Sequence, residues 1–228
     1  MFFHGGDANR SSIPYYTVFF GCWVLAALLI KLQKLHVQRK ALELQLLPDD
    51  PGFVLTCATA KTILEKMNIQ VANPRDFVLL DRIQRALMNL KNLGNVSAVA
   101  ECLNTQAQND EDYLSGSYIT LKGFIWAIPV LGFIGTVLGL SEAIGGFGTV
   151  VKSGVDDPKE LIAALGNVTG GLSTAFETTL IALVIALVCQ LLMTMVLNRE
   201  EHFLDECSDY CHRCLISKIR SIDLSEGL

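Results

Sequence analysis

The stretch that most constrains the fold is an uncharged segment from Trp126 to Leu140, WAIPVLGFIGTVLGL, which contains one proline and three glycines. In a water-exposed helix each glycine would cost about 0.8–1 kcal/mol relative to alanine. Inside a membrane, small residues instead let neighbouring helices approach closely. At 100° per residue, one third of the helix surface collects Pro129, Gly132, Gly135, Thr136 and Gly139. This face predicts close helix packing within a membrane assembly.

Two further apolar blocks are long enough to cross a bilayer, which takes about 20 helical residues. The first is uncharged from Ser11 to Ile30, and the third runs from about Asn167 to Asn198 with Glu177 as its one charge. The net charge of −5 disfavours a nucleic-acid partner. The sequence therefore predicts an all-α membrane protein with three transmembrane helices, long cytoplasmic extensions and a small helical cytoplasmic domain.

Basic residues near the span ends are distributed unevenly, which predicts the orientation. One side carries Lys31, Lys34, Arg39, Lys40, Lys122 and Arg199, and the other carries Arg10, Lys152 and Lys159. Because positive charges favour the cytoplasmic side, the N-terminus is expected outside and the C-terminus in the cytoplasm.

These patterns divide the chain into seven segments. They are an N-terminal outer segment (1–12), transmembrane helix 1 (13–33), a cytoplasmic helical domain (34–117), transmembrane helix 2 (118–145), an outer loop (146–166), transmembrane helix 3 (167–198) and a cytoplasmic C-terminal helix (199–228).

Within the polar segments, breaks are expected at 48–52, at Asn73-Pro74 and at Gly94-Asn95. An amphipathic helix is predicted from the spacing of Phe77, Leu80, Ile83, Leu87 and Leu90. Near the C-terminus, the predicted buried stripe comprises Phe203, Cys207, Tyr210 and Cys214.

The C-terminal cysteines allow two interpretations. Cys207, Cys211 and Cys214 share a helix face, and three cysteine ligands suit zinc. No turn separates them, however, so buried positions in a helix seam are favoured and no metal is predicted. No nucleophile–base pair or phosphate-binding glycine loop is found either, so the chain is not expected to be an enzyme or to need a cofactor.

Glu177 is the first candidate functional residue, because a carboxylate inside a span usually faces a bundle interior or a water-filled path. It shares a helix face of about 120° with Gly170, Gly171, Thr174 and Thr178. This face is either the polar lining of an ion path or partner contact, or the site of a structural carboxylate bonded to a neighbouring helix. Gly170 and Gly171 are in addition expected to pack against a neighbouring helix.

Thr136 also has two interpretations. Its hydroxyl can serve an ion, a water molecule or a partner side chain. Alternatively, it bonds back to the carbonyl four residues earlier, as threonine often does in apolar helices.

Two motifs then suggest a family. IPVLGFIGTVLGL in span two and GGLSTAFETTLIALV in span three, together with the predicted topology, resemble the MotA/TolQ/ExbB proton-channel family. The three-span TolQ/ExbB branch fits better than the four-span MotA branch. The resemblance is strongest over residues 118–200 and implies a bacterial inner-membrane homopentamer. The ring would surround a dimer of a single-span MotB/TolR/ExbD-like partner with one membrane aspartate.

Carried over residue by residue, the family threonines fall on Thr136 and Thr179. The grouping of polar side chains on one face of the helix instead favours Thr178, so Thr178 and Thr179 are both candidates. The position of the family glutamate falls on Thr174, while the acid here is Glu177. The resemblance implies an ion-conducting stator subunit of a rotary motor, driven by protons or, alternatively, by sodium. The alternative function is a non-conducting oligomeric membrane scaffold.

Overall fold

The computed structural model describes residues 12–43, 55, 57–71, 73–93, 96–152 and 158–219. Five α-helices follow one another along this part of the chain: α1 (Ile13–Glu43), α2 (Cys57–Gln70), α3 (Val78–Leu93), α4 (Val96–Lys152) and α5 (Pro158–Cys214). Short 3-10 turns, Pro74–Asp76 and Ile216–Lys218, precede α3 and follow α5. A single β-bridge joins Leu55 to Ile219. The predicted all-helical fold is confirmed over the described residues.

Three of these helices, α1, α4 and α5, are long and apolar enough to cross a membrane. This confirms the prediction of three helices with the length and composition needed to span a membrane. Their lengths differ from the expected segments, because α4 and α5 each run for 57 residues without interruption. The polar segment before residue 118 and the segment after residue 198 are therefore continuous with the apolar helices that they flank.

Helix also extends into the segment 146–166, which was predicted as an outer loop. Helix α4 continues to Lys152, and α5 begins at Pro158. Glycine lowers helix propensity by only about 1 kcal/mol per residue, so Gly145, Gly146 and Gly148 do not end α4. Proline fits the first turn of a helix, where its missing N–H has no intrahelical partner, which explains the start of α5. The break expected at 48–52, residues 94–95 and the termini 1–11 and 220–228 lie outside the described residues.

The chain forms two compact units. The first, here named the membrane unit, consists of Met1–Leu29 and Tyr118–Thr194. The second, the polar unit, consists of Ile30–Ser117 and Met195–Leu228. Helices α2 and α3 belong to the polar unit, whereas α1, α4 and α5 contribute to both.

Small side chains fill most of the interior of the membrane unit. Among its buried residues are Ala143, Ala164, Ala175, Ala182 and Ala186. Many large apolar side chains point outward instead, and they include Trp126, Phe133, Phe176, Leu183 and Leu187, although Tyr118, Ile128 and Met193 are buried. This arrangement suits a bilayer, where close backbone packing rather than burial of large side chains holds helices together.

The polar unit has an apolar core of larger side chains. Helices α1, α3, α4 and α5 all contribute to it, through residues that include Leu35, Leu79, Ile83, Leu103 and Phe203. The predicted amphipathic helix is confirmed as α3, whose Leu80, Ile83 and Leu87 are buried. The side chain of Leu90 lies outside the described residues.

A buried arginine ties three helices of the polar unit together. Arg82 of α3 is 2% exposed. Its Nε donates to Asp110 Oδ2 of α4 at 2.7 Å, and its Nη1 donates to Ser208 Oγ of α5 at 2.8 Å. Because a buried guanidinium is stable only when paired and hydrogen-bonded, Arg82 fixes the relative positions of α3, α4 and α5 within this unit.

Gln38 of α1 makes a second polar tie, to the start of α3. The backbone N–H of Val78 donates to Gln38 Oε1 at 3.0 Å, and Gln38 Nε2 donates to the carbonyl of Asp76 at 2.6 Å. The first N–H groups of a helix have no intrahelical acceptor. The amide of Gln38 supplies one and so serves as the N-terminal cap of α3.

The three C-terminal cysteines, Cys207, Cys211 and Cys214, are buried in the core of the polar unit. Burial raises the pKa of the Cys207 and Cys211 thiols to about 12, against the opposing effect of the Arg82 charge. Among the described residues, no group of three or more His, Cys, Asp and Glu side chains is placed to hold a metal ion.

Candidate functional site

The candidate site lies along the seam where α4 and α5 pack inside the membrane unit. A Cβ added at Gly132 would lie 2.5 Å from the Cβ of Ala182. Further along, a Cβ added at Gly139 would lie 3.2 Å from the Cβ of Ala175, and one added at Gly171 would lie 2.8 Å from the Cβ of Ala143. As the residue number increases along α4, the number of the contacting residue on α5 decreases, so the two helices run antiparallel. Their backbones approach too closely for larger side chains at these glycines.

Two threonines meet at this seam. The hydroxyl of Thr179 donates to the carbonyl of Gly132 at 3.0 Å, and Thr179 Oγ1 lies 3.4 Å from Thr136 Oγ1. The contact between Gly132 and α5 is what allows this, because a side chain at position 132 would hold Thr179 away from the Gly132 carbonyl. Both threonines are half-buried. The structure thus places side by side the two residues that the family resemblance selected.

Each of the two hydroxyls has a helix carbonyl oxygen within hydrogen-bond distance. Thr136 Oγ1 donates to the carbonyl of Phe133 at 2.6 Å, and the carbonyl of Gly132 is 3.4 Å away. A threonine hydroxyl has one proton to donate and two lone pairs to accept with. If Thr179 donates to Gly132 and Thr136 to Phe133, the pair offers lone pairs to a third group. Such a pair suits a hydrogen-bond donor or a cation.

Thr178, which the grouping of polar side chains on one helix face favoured, has a different environment. It is 6% exposed, and its hydroxyl donates to the carbonyl of Ala175 at 2.8 Å. Its Oγ1 lies 3.0 Å from a Cβ built on Gly135, and Ile13 of α1 also approaches Gly135. Thr178 is therefore packed between helices and does not join the pair of Thr136 and Thr179.

Glu177 is half-buried on α5. It lies two residues from Thr179, and residues two apart on a helix point about 200° away from each other. The seam therefore brings Thr136 and Thr179 together on one face, and Glu177 points to another. Thr174, at the position of the family glutamate, donates its hydroxyl to the carbonyl of Gly170 at 3.1 Å.

Of the six residues predicted for helix packing, Gly132, Gly135, Gly139 and Gly171 lie at close interhelical contacts. Gly170 does not, since a Cβ added there would meet nothing within 4 Å. Pro129 is half-buried inside α4, where it leaves the carbonyl of Ile125 without its usual helical donor.

Sequence reasoning overlooked the alanines that complete the seam, Ala143, Ala175 and Ala182. A signal was present on α5, where Gly171, Ala175, Ala182 and Ala186 recur at helical spacing. Small residues repeated on one face typically mark the contact side of a membrane helix.

Comparison with known proteins decides the family. The profile of the MotA/TolQ/ExbB proton channel family matches residues 71–208, more than half of the chain. The chain belongs to the MotA/TolQ/ExbB proton channel family. The match includes the seam and both threonines, and it extends into the polar unit. No curated protein and no solved structure matches the chain.

Family membership and the three apolar helices establish the chain as a membrane protein. The family is one of proton channels and not a class of enzymes. The resemblance inferred from the sequence is confirmed at the level of the family, whose profile does not separate the three-span branch from the others.

Proposed function

We propose that this chain is the ion-conducting stator subunit of a rotary motor driven by the proton-motive force, with sodium as the alternative ion. Five copies surround a dimer of a single-span partner that carries the membrane aspartate. The N-terminus is outside the inner membrane of a bacterium, and the C-terminus is in the cytoplasm. Family membership supports this function, and the three-span pattern favours the TolQ/ExbB branch.

The observation that carries the proposal is the threonine pair at the α4–α5 seam. Thr179 donates to Gly132, and its oxygen lies 3.4 Å from that of Thr136. With their protons engaged by helix carbonyls, the two oxygens accept a hydrogen bond from a protonated carboxyl group or coordinate a cation. A protonated carboxyl group, or a carboxylate with a bound cation, is the form that the partner's aspartate takes when it carries an ion. Hydroxyl oxygens replace the water that a carboxyl group loses on entering the membrane interior.

The chain itself has few acids inside its spans, so the cycling carboxylate is assigned to the partner. Glu177 contributes a second polar group on another face of α5. The membrane potential supplies about 2.3 kcal/mol per charge per 100 mV, which is enough to bias stepwise movement of one protein against another.

Ion flux in proteoliposomes tests this function. The chain is co-purified with its single-span neighbour, and flux is measured first under a pH gradient and then under a sodium gradient. Flux should require both proteins. It should fall strongly in Thr179→Val and Thr136→Val, which keep the shape of the side chain and remove the hydroxyl oxygen.

Thr169→Val is the matched control. Thr169 lies on the same helix and is exposed, and its hydroxyl donates only to carbonyls of its own helix. Its replacement should leave flux intact. Glu177→Gln separates the two interpretations of that residue, because loss of flux in an assembled complex assigns Glu177 to the ion path.

The second candidate function is a non-conducting membrane scaffold. It is favoured by the fact that the hydroxyls of Thr136, Thr178 and Thr179 all donate to helix carbonyls, as purely structural threonines do. A well-formed complex with its partner that conducts neither ion would support the scaffold and reject the stator.

A further inference from the structure

Charged residues of opposite sign are unevenly distributed in the polar unit. Most of the exposed acids described there lie on α4 and α5, namely Glu101, Glu111, Asp112, Glu201, Asp205 and Asp209, and they outnumber the exposed Arg199 and Arg213 of α5. The exposed bases on α1 and α2 comprise Lys34, Arg39, Lys40, Lys61 and Lys66, with Glu65 as the exposed acid among the side chains described there.

Part of this complementarity is satisfied within the chain. Lys31 pairs with Glu200 at 3.3 Å, and Arg39 pairs with Glu206 at 3.4 Å. These pairs join α1 to α5, so they neutralise charges from both surfaces. They leave an excess of acid on one surface and of base on the other.

The acids face a groove between α4 and α5 with a volume of about 320 Å³. Its lining comprises Glu111, Ser115, Glu201 and Asp205, together with the apolar side chain of Leu114. Over the part of the chain that the structure describes, none of the three carboxylates forms an ion pair. Like charges held together around a groove repel one another, and a partner of opposite charge relieves that repulsion.

The lysines of α1 and α2 provide a surface of matching sign. Lys34, Lys40, Lys61 and Lys66 are exposed, and none of them is in an ion pair within the described residues. A lysine side chain can lay its methylene stem on an apolar floor while its ammonium group reaches a carboxylate. Lys34 lines a separate cavity with Asp76, Asp81, Asp110 and Glu200. Among the described residues, however, no ion pair joins any of these four lysines to the acids of the groove.

We infer that the acidic groove of Glu111, Glu201 and Asp205 is the docking surface for the lysine-bearing surface of α1 and α2 on a second copy of this chain. The contact is heterologous, because two different surfaces meet. Repeated head-to-tail contacts of this kind form a ring when the rotation between neighbouring copies closes, whereas a self-complementary patch gives a two-fold dimer. The inference rests on the ring assembly of the proposed function and adds the surface that fixes how neighbouring copies are oriented toward each other.

Carbodiimide treatment of membranes that contain the full chain and its partner tests this contact. The reagent joins a carboxylate to a lysine Nζ as an amide, and the water lost is taken up as the urea. Only links between chains increase the mass of the denatured product. Gel bands at multiples of the mass of the chain therefore report contacts between copies. Mass spectrometry of the bands should find Glu111, Glu201 or Asp205 linked to Lys34, Lys40, Lys61 or Lys66.

The groove-neutral variant Glu111→Gln/Glu201→Gln/Asp205→Asn should lose these bands. Glu65→Gln is the matched control, since Glu65 is an exposed carboxylate on α2 outside the groove, and it should retain them. Raised salt during the reaction should weaken the bands of the native chain, because exposed ion pairs are screened. Charge reversal at Glu201 and Asp205 should lower the yield of assembled ring, and Lys34→Glu/Lys40→Glu in the same chain should restore it.

Native mass spectrometry of the untreated complex separates the two proposals. If the ring is intact and the groove-neutral variant still gives the full ladder of bands, the docking surface is wrong and the proposed function stands. If the groove links to a different protein, the docking surface is likewise wrong. If the native chain forms no ring at all, both the inference and the assembly on which it rests are rejected.

Discussion

Helices α4 and α5 contribute to the interior of both units, yet the two units are packed by different means. In the membrane unit the seam consists of Gly132, Gly139 and Gly171 against alanines, where an added methyl group would lie only 2.5, 3.2 and 2.8 Å from its neighbour. In the polar unit, α3 joins α4 and α5 in a core of large side chains, and Arg82 is buried among them. The same two helices thus change their packing chemistry along their length.

The difference follows from the solvent of each unit. Lipid is as apolar as leucine, so burying a large side chain between membrane helices gains little, and close backbone contact holds them together. In water, burial of apolar surface gains about 25 cal/mol per Å² and favours large core residues. Water also allows a polar network such as that of Arg82, provided each charge keeps a partner.

The largest expected effect breaks the polar unit at its buried charge. Asp110→Asn removes the counter-charge of Arg82, whose side chain is 3% exposed, whereas the Asp110 side chain is 35% exposed. Because a buried cation is left without its anion, we expect a loss of about 3 kcal/mol. Hydrogen exchange followed by mass spectrometry should show this as faster exchange across α3.

Arg82→Met should cost less than half as much as Asp110→Asn, because the remaining carboxylate can be hydrated. Asp112→Asn, at an exposed acid two residues further along α4, is the control. Equal costs for Arg82→Met and Asp110→Asn would contradict the view that the buried guanidinium is the group that needs its partner.

The membrane unit is tested at the tightest contact of the α4–α5 seam. Gly132→Ala places a methyl group 2.5 Å from the Cβ of Ala182, so the helices must separate. We expect overpacking to cost about 1–3 kcal/mol, measured by SDS titration of tryptophan fluorescence. Gly123→Ala is the control, because its methyl group would meet nothing within 4 Å. If both variants unfold alike, the seam does not depend on close approach.

A smaller effect is expected at the cap of α3. Gln38→Ala leaves the N–H of Val78 and the carbonyl of Asp76 without their partner. Loss of a helix cap typically costs about 1 kcal/mol. Amide exchange at residues 77–80 should accelerate while the membrane unit is unaffected. Gln33→Ala, at an exposed position of α1, should change neither region.

The smallest effect is a dependence of the polar unit on alkaline pH. The ordinary thiol pKa of 9.0 applies to the unfolded chain, and burial raises the pKa of Cys207 and Cys211 to about 12. As pH rises from 8 to 9, the unfolded chain begins to release these protons and the folded chain does not. Stability therefore falls, by about 0.4 kcal/mol per thiol at pH 9.

Thiol labelling checks this assignment. Both thiols should resist alkylation at pH 8 in the folded protein and react once SDS unfolds it. Cys207→Ala/Cys211→Ala should flatten the stability profile between pH 8 and 9. Rapid labelling of the folded chain would show that these thiols are not buried.

The sequence was sufficient for the fold class, because long uncharged segments have few alternatives to membrane-spanning helices. It also led to Thr136 and Thr179 through the family motifs. Helical-face reasoning alone chose Thr178, because it had no information on which side of α5 faces α4. The seam supplies that information, and it places Thr178 against Gly135 instead.

Other features could not be predicted from periodicity. Arg82 looks like one more charged residue on an amphipathic helix, and its burial depends on Asp110 and Ser208, which lie on two other helices. The same holds for Gln38, whose partner is the backbone at the start of α3. Such contacts join residues far apart in sequence, and no local sequence pattern predicts them.

The contact between positions 132 and 182 limits how this sequence can vary. The two positions together have room for one methyl group, since two Cβ atoms would lie 2.5 Å apart. Exchanging the partners, as in Gly132→Ala with Ala182→Gly, conserves that single methyl group and should restore part of the stability lost in the single variant. The restoration is partial because the methyl group at position 132 still lies 3.3 Å from the Cα of Thr179. Substitutions at these two positions should therefore be correlated among homologues, and a homologue with alanine at position 132 should carry glycine at position 182.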